Sequence, residues 1–256
     1  MTVTIAVTNQ KGGVGKTTSA INIAYYLAKE GQRVLLVDLD PQGNASSGLG
    51  IDKEDLEATT GEVLLQTTEL AVAVKATDYK GLSILPTTSH LANVEAELAN
   101  LPNKFTRLKT ALQSVDGYDV VIIDCPPSLS LLTINGLIAA KFVILPVQAE
   151  FYALEGLGQL LETMKLVRKG MNTGLELLGV LPTMMDSRTT LSNQVHQEIV
   201  KHFGDKVFQT AIPRNIRLAE APSHGVPVGA YDRWSKGARA YKAVAKEIEQ
   251  RLEAKR

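Results

Sequence analysis

Short runs of aliphatic and β-branched residues alternate along the chain with longer stretches that have the spacing of amphipathic helices. The apolar runs show no alternation with polar residues, which is typical of strands covered on both faces by helices and therefore of a parallel sheet. The pattern predicts an α/β fold with a doubly wound, mostly parallel sheet flanked by helices. The predicted strands are residues 3–8, 34–38, 82–85, 120–124, 142–147, 177–181 and 207–212.

Helical spacing between these strands predicts the other elements. It indicates a helix over residues 17–29, a long helical stretch that ends near residue 114, and a final helix with one apolar face. Residues 48–80 have no clean period and predict one or two short helices and a loop, and the polar residues 186–193 predict a loop that leads into a helix. No linker or repeat interrupts the pattern, so we expect a single domain over residues 1–256.

The composition narrows the class of protein. Hydrophobic residues make up 45% of the chain, which is enough apolar surface to exclude intrinsic disorder, and the single cysteine excludes a disulfide framework. No stretch approaches the roughly 20 apolar residues of a membrane span, and no basic signal region begins the chain, so we expect a cytoplasmic protein. Lys and Arg number 27, as do Asp and Glu, and a net charge of zero argues by itself against nucleic-acid binding.

A glycine-rich segment follows the first predicted strand and leads into the first predicted helix. Its last residues, Gly15, Lys16 and Thr17, match the end of a phosphate-binding P-loop, but Gln10 stands where the general motif has its first glycine. Glycines let backbone N–H groups turn towards a phosphate, and the following helix presents its positive N-terminal end to it. This context predicts a nucleotide site in which Lys16 binds phosphate oxygens and Thr17 binds Mg²⁺.

Three ordered segments resemble the motifs of one ATPase family. Lys-Gly-Gly-Val-Gly-Lys-Thr-Thr at residues 11–18 matches the deviant Walker A motif of the ParA/MinD ATPases. Asp-Leu-Asp-Pro-Gln-Gly-Asn at 38–44 and Val-Val-Ile-Ile-Asp-Cys-Pro-Pro at 120–127 look like the second motif and the Walker B segment of that family. The resemblance is to the short ParA-type (Soj) chromosome-partition ATPases and covers essentially the whole chain. It implies a P-loop NTPase fold and an ATPase with ATP and Mg²⁺ as cofactors.

The resemblance also implies roles for individual residues. Lys16 would bind phosphate, Lys11 would reach the nucleotide of a second subunit and stabilise transition-state charge, and Asp40 would orient the attacking water. Asp38 and Asp124 lie at strand ends and would hold Mg²⁺, partly through water, together with Thr17 and Asp40, although such acids often cap the next helix instead. The implied nucleotide-binding residues are Lys11, Gly12, Gly13, Val14, Gly15, Lys16, Thr17, Thr18, Met185, Pro213 and Asn215.

Recognition of the base is the least specific part of the pattern. In related ATPases, residues after two late strands contact adenine, and the corresponding segments here are residues 182–186 and 213–215. The same segments are also compatible with ordinary loops at strand ends, and the sequence alone does not choose between the two interpretations.

The zero net charge conceals an uneven distribution. Residues 44–100 contain three basic and nine acidic side chains, whereas residues 214–256 contain ten basic and five acidic ones. In most proteins such a basic helix face is simply solvated. The family resemblance favours DNA, because Arg188 and Arg217 match positions where Soj-like proteins carry DNA-contacting arginines. It implies that an ATP-bound homodimer binds the phosphates of double-stranded DNA without sequence preference.

Taken as a whole, the resemblance implies a nucleoid-associated switch that segregates chromosomes or plasmids. A ParB-type centromere-binding protein would stimulate ATP hydrolysis and so release the DNA. Three alternatives are a MinD-like membrane-associated positioning ATPase, a reductase-type relative with an iron–sulfur cluster between subunits, and a nucleotide binder without catalysis. Residues 247–256 contain no aromatic residue and carry glutamates on a thin apolar side, which disfavours the membrane. The cluster needs two cysteines per subunit, and only Cys125 is present.

Overall fold

The apolar runs form one sheet in the computed structural model, which describes residues 2–114, 116–150 and 155–255, without the side chains of 155 and 156. The strands are β1 (Val3–Val7), β2 (Val34–Asp38), β3 (Lys75–Ala76), β4 (Leu82–Leu85), β5 (Val120–Asp124), β6 (Phe142–Gln148) and β7 (Glu176–Thr183). Their order across the seven-stranded sheet is β3-β4-β2-β5-β1-β6-β7. Among these strands only β3 runs antiparallel to its neighbour, so the predicted mostly parallel sheet is confirmed.

Helices cover both faces of this sheet. They are α1 (Lys16–Lys29), α2 (Asn44–Gly48), α3 (Thr60–Leu65), α4 (Leu70–Ala73), α5 (Leu91–Leu98), α6 (Arg107–Gln113), α7 (Leu131–Ala139), α8 (Glu155–Gly170), α9 (Thr190–Phe203), α10 (Ile216–Glu220), α11 (Val228–Tyr231) and α12 (Lys236–Glu253). One buried cluster joins α1 and α12 to one face, and a second joins α3, α5, α7, α8 and α9 to the other. In the described ranges, no helix is both long and apolar enough to span a membrane.

The first six predicted strands form with ends within two residues of expectation, but the predicted long helix after β4 is divided. Helices α5 and α6 are separated by residues 99–106, where Asn103 adopts a left-handed φ of 56°. A helix cannot continue through that conformation, which asparagine tolerates better than most residues. Residues 48–80 contain α3 and α4, as expected, together with the short strand β3, which was not predicted.

The predicted last strand, residues 207–212, does not form. Isolated parallel bridges join its start to β7 and the residue after its end to the segment that follows β7. The Glu247 carboxylate of α12 accepts hydrogen bonds from the amides of Gln209 and Thr210, at 3.0 and 3.2 Å. The amides of Phe208 and Ile212 still donate to carbonyls of β7, so the Glu247 side chain interrupts the ladder between them.

The central strands position the motifs. Val7 at the end of β1 and Asp38 at the end of β2 are both in register with Asp124 at the end of β5. The chain passes from β1 to β2 through α1 on one face and from β5 to β6 through α7 on the other. This is a topological switch point, and α/β proteins bind ligands in the crevice at the carboxyl ends of such strands.

Candidate nucleotide-binding site

Residues 9–15 form a loop that turns the chain from β1 into α1. Gly13 and Gly15 have φ values of 75° and 88°, in the left-handed region that glycine occupies with little strain. The Asn9 side chain fixes the start of the loop, since its amide group donates to the Pro146 carbonyl at 2.8 Å and its oxygen accepts from the Lys11 amide at 3.0 Å. Gly15 offers no capping side chain to the first turn of α1, so the helix N-terminus is available to an anion.

The side chain of Lys16 is folded back into this loop. It is buried, and its Nζ donates to the Lys11 carbonyl at 3.1 Å. Burial lowers the pKa of Lys16, and the carboxylates of Asp124 and Asp40 act in the opposite direction. A cation held inside a glycine-rich loop, with its charge only partly compensated, is suited to bind the oxygens of a phosphate.

Asp124 is completely buried at the end of β5. Neither of its carboxylate oxygens has a hydrogen-bond partner among the described residues. Burial raises the pKa of Asp124 well above its usual range, and the Asp38 carboxylate raises it further. The nearby Thr17 hydroxyl favours the ionised form but does not reach hydrogen-bond geometry. A buried carboxylate without donors is unfavourable unless a proton or a cation compensates it, so Asp124 and Thr17 fit a hard, oxygen-binding cation such as Mg²⁺.

Asp38 is equally buried, but its carboxylate is satisfied by the protein. Its Oδ2 accepts hydrogen bonds from the backbone N–H and the hydroxyl of Ser46, at 2.8 and 2.7 Å, and Oδ1 accepts from the Asp40 amide at 3.3 Å. Burial raises the pKa of Asp38 to about 6 in spite of these bonds. Because Ser46 lies in the first turn of α2, these contacts match the helix-capping alternative, and any role of Asp38 at a metal would run through water.

The acidic groups do not assemble a metal site by themselves. In the part of the chain that the structure describes, no group of three or more His, Cys, Asp and Glu side chains is arranged to hold an ion. Mg²⁺ in phosphate sites usually keeps several waters and takes the rest of its ligands from one or two protein oxygens and the phosphates. The arrangement of Thr17 and Asp124 therefore fits a cation that arrives with a nucleotide.

Asp40 lies on the loop between β2 and α2, and it is held by its own turn. Its Oδ1 accepts a hydrogen bond from the Gln42 amide at 3.0 Å, and its carbonyl accepts from the Gly43 amide at 2.8 Å. The Lys53 ammonium donates to the Gln42 carbonyl at 3.3 Å and so fixes the same loop from outside. The Asp40 carboxylate acts electrostatically on both Lys16 and Asp124, which places it close to the phosphate end of the site.

Lys11 is not directed into its own loop. Its Nζ forms an ion pair with Glu150 at 2.9 Å, and the two side chains are 39% and 46% exposed. Glu150 also accepts a hydrogen bond from the Gln148 amide group at 2.5 Å. Half-exposed pairs of this kind contribute about 1 kcal/mol or less, so a phosphate could replace Glu150 as the partner of Lys11.

A cavity of about 410 Å³ opens beside Gly15 and Thr18. Its other walls come from the end of β7, from residues 212–219 and from Tyr241 of α12. The two loops meet because the Met185 amide donates to the Ile212 carbonyl at 2.9 Å and the next loop returns a bond to the Met185 carbonyl at 3.0 Å. This volume accommodates a nucleobase, so the fold joins two segments that the sequence presents separately.

Of the three residues predicted to contact the base, one does not line this cavity. Pro213 and Asn215 line it, but Met185 does not, because its side chain packs against the other face, where the Ser192 hydroxyl lies 3.5 Å from the sulfur. Met184, with a left-handed φ of 52°, lines the cavity instead. The Asn215 Oδ1 is buried without a hydrogen-bond partner in the described residues, so it is free to accept from an exocyclic amine such as that of adenine.

The two arginines predicted to contact DNA both form ion pairs with their own chain. Arg188 binds Asp186 through two bonds of 2.8 and 2.7 Å, although its side chain is 87% exposed. Arg217 pairs with Glu220 at 2.7 Å and with Asp232 at 3.5 Å. Exposed pairs such as these contribute about 1 kcal/mol or less to stability. The phosphates of a polyanion could therefore replace the carboxylates as partners of these arginines with little loss of free energy.

Sequence reasoning did not single out Glu150 or Tyr241, and it named Met184 only as part of the segment 182–186. The Tyr241 hydroxyl lies 3.0 Å from the Ser19 hydroxyl and connects the floor of the cavity to α1. A tyrosine on the otherwise aliphatic face of the final helix is a signal that could have identified it, because a buried hydroxyl needs a partner. Nothing in the sequence distinguishes Met184 from Met185 or connects Glu150 to Lys11.

The sequence is similar to named chromosome-partitioning proteins. A family model described as AAA domain matches residues 2–177. The sporulation initiation inhibitor protein Soj of Bacillus subtilis is 54% identical over 245 residues, which cover 95% of this chain and 97% of that protein. The chromosome-partitioning ATPase Soj of Thermus thermophilus is 53% identical over 250 residues, 97% of this chain and 96% of that protein.

Solved structures share the fold over the whole chain. Cobyrinic acid a,c-diamide synthase from Mycobacterium smegmatis with bound ADP and magnesium is 43% identical with a TM-score of 0.88, covering 100% of this chain and 97% of that one. The septum site-determining protein MinD from Pyrococcus horikoshii, complexed with Mg-ADP, is 26% identical with a TM-score of 0.80, covering 100% and 99%. Both structures contain a nucleotide and magnesium.

Proposed function

We propose that this chain, which belongs to the AAA-domain family and within it to the Soj and ParA chromosome-partitioning ATPases, is an ATP-driven switch that binds and releases DNA. It is an ATPase with a P-loop NTPase fold, and ATP and Mg²⁺ are its cofactors. The observation that best supports a switch driven by hydrolysis is the buried Lys16 beside the unpartnered carboxylate of Asp124, at the start of α1.

The residues of the phosphate loop would bind the nucleotide. The N–H groups of residues 12–17 and the Lys16 ammonium would hold phosphate oxygens, with Lys16 exchanging its bond to the Lys11 carbonyl for one to phosphate. Thr17 and Asp124 would hold Mg²⁺, with Asp38 behind them through water, and bound Mg²⁺ neutralises phosphate charge. The ionised form of Asp124 then gains the partner that it lacks in the described residues.

Two further residues would promote hydrolysis. Asp40 would orient the attacking water and accept its proton, because its carboxylate is held near Lys16 by the turn at Gln42 and Gly43. Lys11 would leave Glu150 and reach the phosphates bound in a second copy of the chain, where its charge would stabilise the transition state as an arginine finger does. ATP-bound dimerisation would thus complete each catalytic site.

The cavity beside Gly15 would hold the base. Pro213 and Met184 would pack against its faces, and the unpartnered Oδ1 of Asn215 would accept a hydrogen bond from the exocyclic amine of adenine. Guanine carries a carbonyl oxygen at that position, so the same Asn215 oxygen would repel it. The amide therefore favours ATP over GTP.

Dimerisation would also create the DNA-binding surface. Each chain has zero net charge, and Arg188 and Arg217 are already paired with carboxylates, so a monomer would bind DNA weakly. Two copies would present two basic segments 214–256 to one duplex and bind its phosphates without reading sequence. A ParB-type partner would stimulate hydrolysis, dissolve the dimer and release it from the nucleoid.

Steady-state ATPase rates with double-stranded DNA and the ParB-type protein, separately and together, test this proposal. We expect the highest rate with both present, and a DNA affinity that requires ATP and falls with salt. Arg217→Glu should abolish DNA binding at low salt, whereas Arg168→Glu, the same charge reversal on α8 at the opposite face of the sheet, should retain it. Turnover that responds to cobyrinic acid but not to DNA or partner would contradict the proposal.

A further inference from the structure

A single tryptophan lies on the surface at the start of the C-terminal helix. Trp234 is the one tryptophan of the chain, and it is 72% exposed. It precedes Ser235, whose hydroxyl caps α12 by accepting from the Ala238 amide. Tryptophan is mostly buried in folded proteins, because its large apolar surface is expensive to hydrate. The fold does not use this side chain, so its exposure needs another explanation.

The backbone of Trp234 is linked through one carboxylate to Arg217, which is already proposed to bind DNA. The Asp232 carboxylate accepts a hydrogen bond from the Trp234 amide at 3.1 Å and pairs with Arg217 at 3.5 Å. The Arg233 guanidinium lies 4.7 Å from the indole centroid, within the range of a cation–π contact. One arginine therefore lies against the indole, and a second is linked through Asp232 to the backbone that carries it.

The charged residues near the indole indicate which class of macromolecule it would contact. Lys236 and Arg239 are exposed on the first turn of α12, where no acidic residue is present. Interfaces between proteins are depleted in lysine at their cores, so this environment does not resemble a protein docking site. An aromatic side chain among cations is instead the combination by which proteins hold nucleic acids, with the cations on phosphates and the ring on bases or sugars.

We propose that Trp234 contacts DNA directly, as the apolar element of a basic surface formed by Arg217, Arg233, Trp234, Lys236 and Arg239. The inference rests on the proposed DNA-binding function and adds a contact that is not electrostatic. The cations would bind phosphates and release counterions, whereas the indole would pack against sugar or base edges. Removing the indole should therefore lower the affinity for DNA by the same factor at every salt concentration.

The intrinsic fluorescence of Trp234 provides the first test, because no second tryptophan contributes to the signal. The full chain, bound to an ATP analogue that is not hydrolysed, is titrated with a random-sequence duplex. We expect the emission to be quenched or shifted in proportion to DNA bound, as measured in parallel by anisotropy of labelled DNA. Emission that does not change while anisotropy shows binding would overturn the inference and leave the proposed function standing.

Variants separate the indole from the charges. Trp234→Ala should weaken DNA binding about fivefold, equivalent to about 1 kcal/mol, with the slope of log affinity against log salt unchanged. Arg233→Ala should reduce that slope by about 0.9, because one phosphate contact is lost. Leu166→Ala is the matched control: Leu166 is 69% exposed on α8, and its removal should leave DNA affinity unchanged. Trp234→Phe should recover most of the affinity.

The remaining outcomes distinguish failure of the proposed Trp234 contact from failure of the proposed DNA-binding function. Equal affinity of Trp234→Ala and the parent chain, with both unfolding at the same temperature, would overturn the inference alone. Absence of DNA binding by the parent chain in any nucleotide state would overturn the proposed function and this inference with it. An exposed tryptophan among cations also suits an anionic membrane surface. Fluorescence that responds to vesicles of phosphatidylglycerol but not to DNA would therefore reject the inference in favour of a membrane.

Discussion

Replacement of Gly12 tests whether the phosphate loop is a surface between two subunits. A Cβ built on Gly12 would meet nothing within 4 Å in its own chain, and the residue does not have a left-handed φ. Glycine is therefore not required there by the fold of one chain. If a second copy packs against the loop through its nucleotide, a valine at this position would enter space that the other copy needs.

The structure sets the expected magnitudes. Gly12→Val in one chain should change the free energy of unfolding by no more than about 0.5 kcal/mol, as for other exposed sites without special contacts. Overpacking in an interface costs about 1–3 kcal/mol, and two-fold symmetry places two valines in each dimer. The dimer should thus lose about 2–6 kcal/mol, which corresponds to a dissociation constant weaker by at least about thirtyfold.

Gel filtration with light scattering, at fixed protein concentration with and without ATP, measures this effect. We expect the parent chain to become dimeric with ATP, and Gly12→Val to bind a fluorescent ATP analogue but stay monomeric. Gly12→Ala should give an intermediate result, because its methyl group is smaller. Gly13→Val is the contrasting control: the φ of 75° makes a valine strained by about 1–3 kcal/mol within one chain.

An ATP-dependent dimer of Gly12→Val with parental affinity would refute this reasoning. It would mean that the loop faces solvent in the dimer, and Lys11 would then lose its proposed route to the neighbouring nucleotide. Loss of ATP binding in the same variant would refute it differently, since the open space around Gly12 would then belong to the bound nucleotide.

Two further predictions concern the chemistry of the site. Asp40→Ala should bind ATP and dimerise but hydrolyse about a hundredfold or more slowly in a single-turnover assay, because the group that orients water is lost; normal turnover would remove Asp40 from the mechanism. Asn215→Ala should weaken ATP binding by about 1 kcal/mol and reduce the preference for ATP over GTP, because the unpartnered Oδ1 is removed. Calorimetry with both nucleotides measures this change, and an unchanged preference would mean that the base binds elsewhere.

The sequence by itself determined the parts of this protein that depend on local pattern. Short, unbroken runs of β-branched and aliphatic residues favour buried strands, so the parallel core and the strand-end positions of Asp38 and Asp124 followed from them. The glycine spacing of the phosphate loop is equally local, because glycine is favoured wherever the backbone of that residue itself adopts a left-handed φ. The predicted long helix is divided into α5 and α6 by residues 99–106, which contain the left-handed Asn103 and also Pro102, a local signal of a helix break that the prediction did not use.

Tertiary structure alone decided what lies beside these motifs. Met184, rather than Met185, lines the base cavity because a left-handed φ of 52° reverses the direction of the side chain, and no pattern of residue types encodes that turn. The residues 207–212 do not form a continuous strand, because Glu247, distant in sequence, accepts the hydrogen bonds of the Gln209 and Thr210 amides between the two amides that donate to β7.

The pairing of charges was also settled only in three dimensions. Lys11 pairs with Glu150, and Arg217 pairs with Asp232, across separations along the chain that no local spacing constrains. Coulomb and hydrogen-bond energies depend on the distance between atoms in space, and packing sets that distance. The sequence therefore identified which groups carry the chemistry, and the fold decided which of them act on one another.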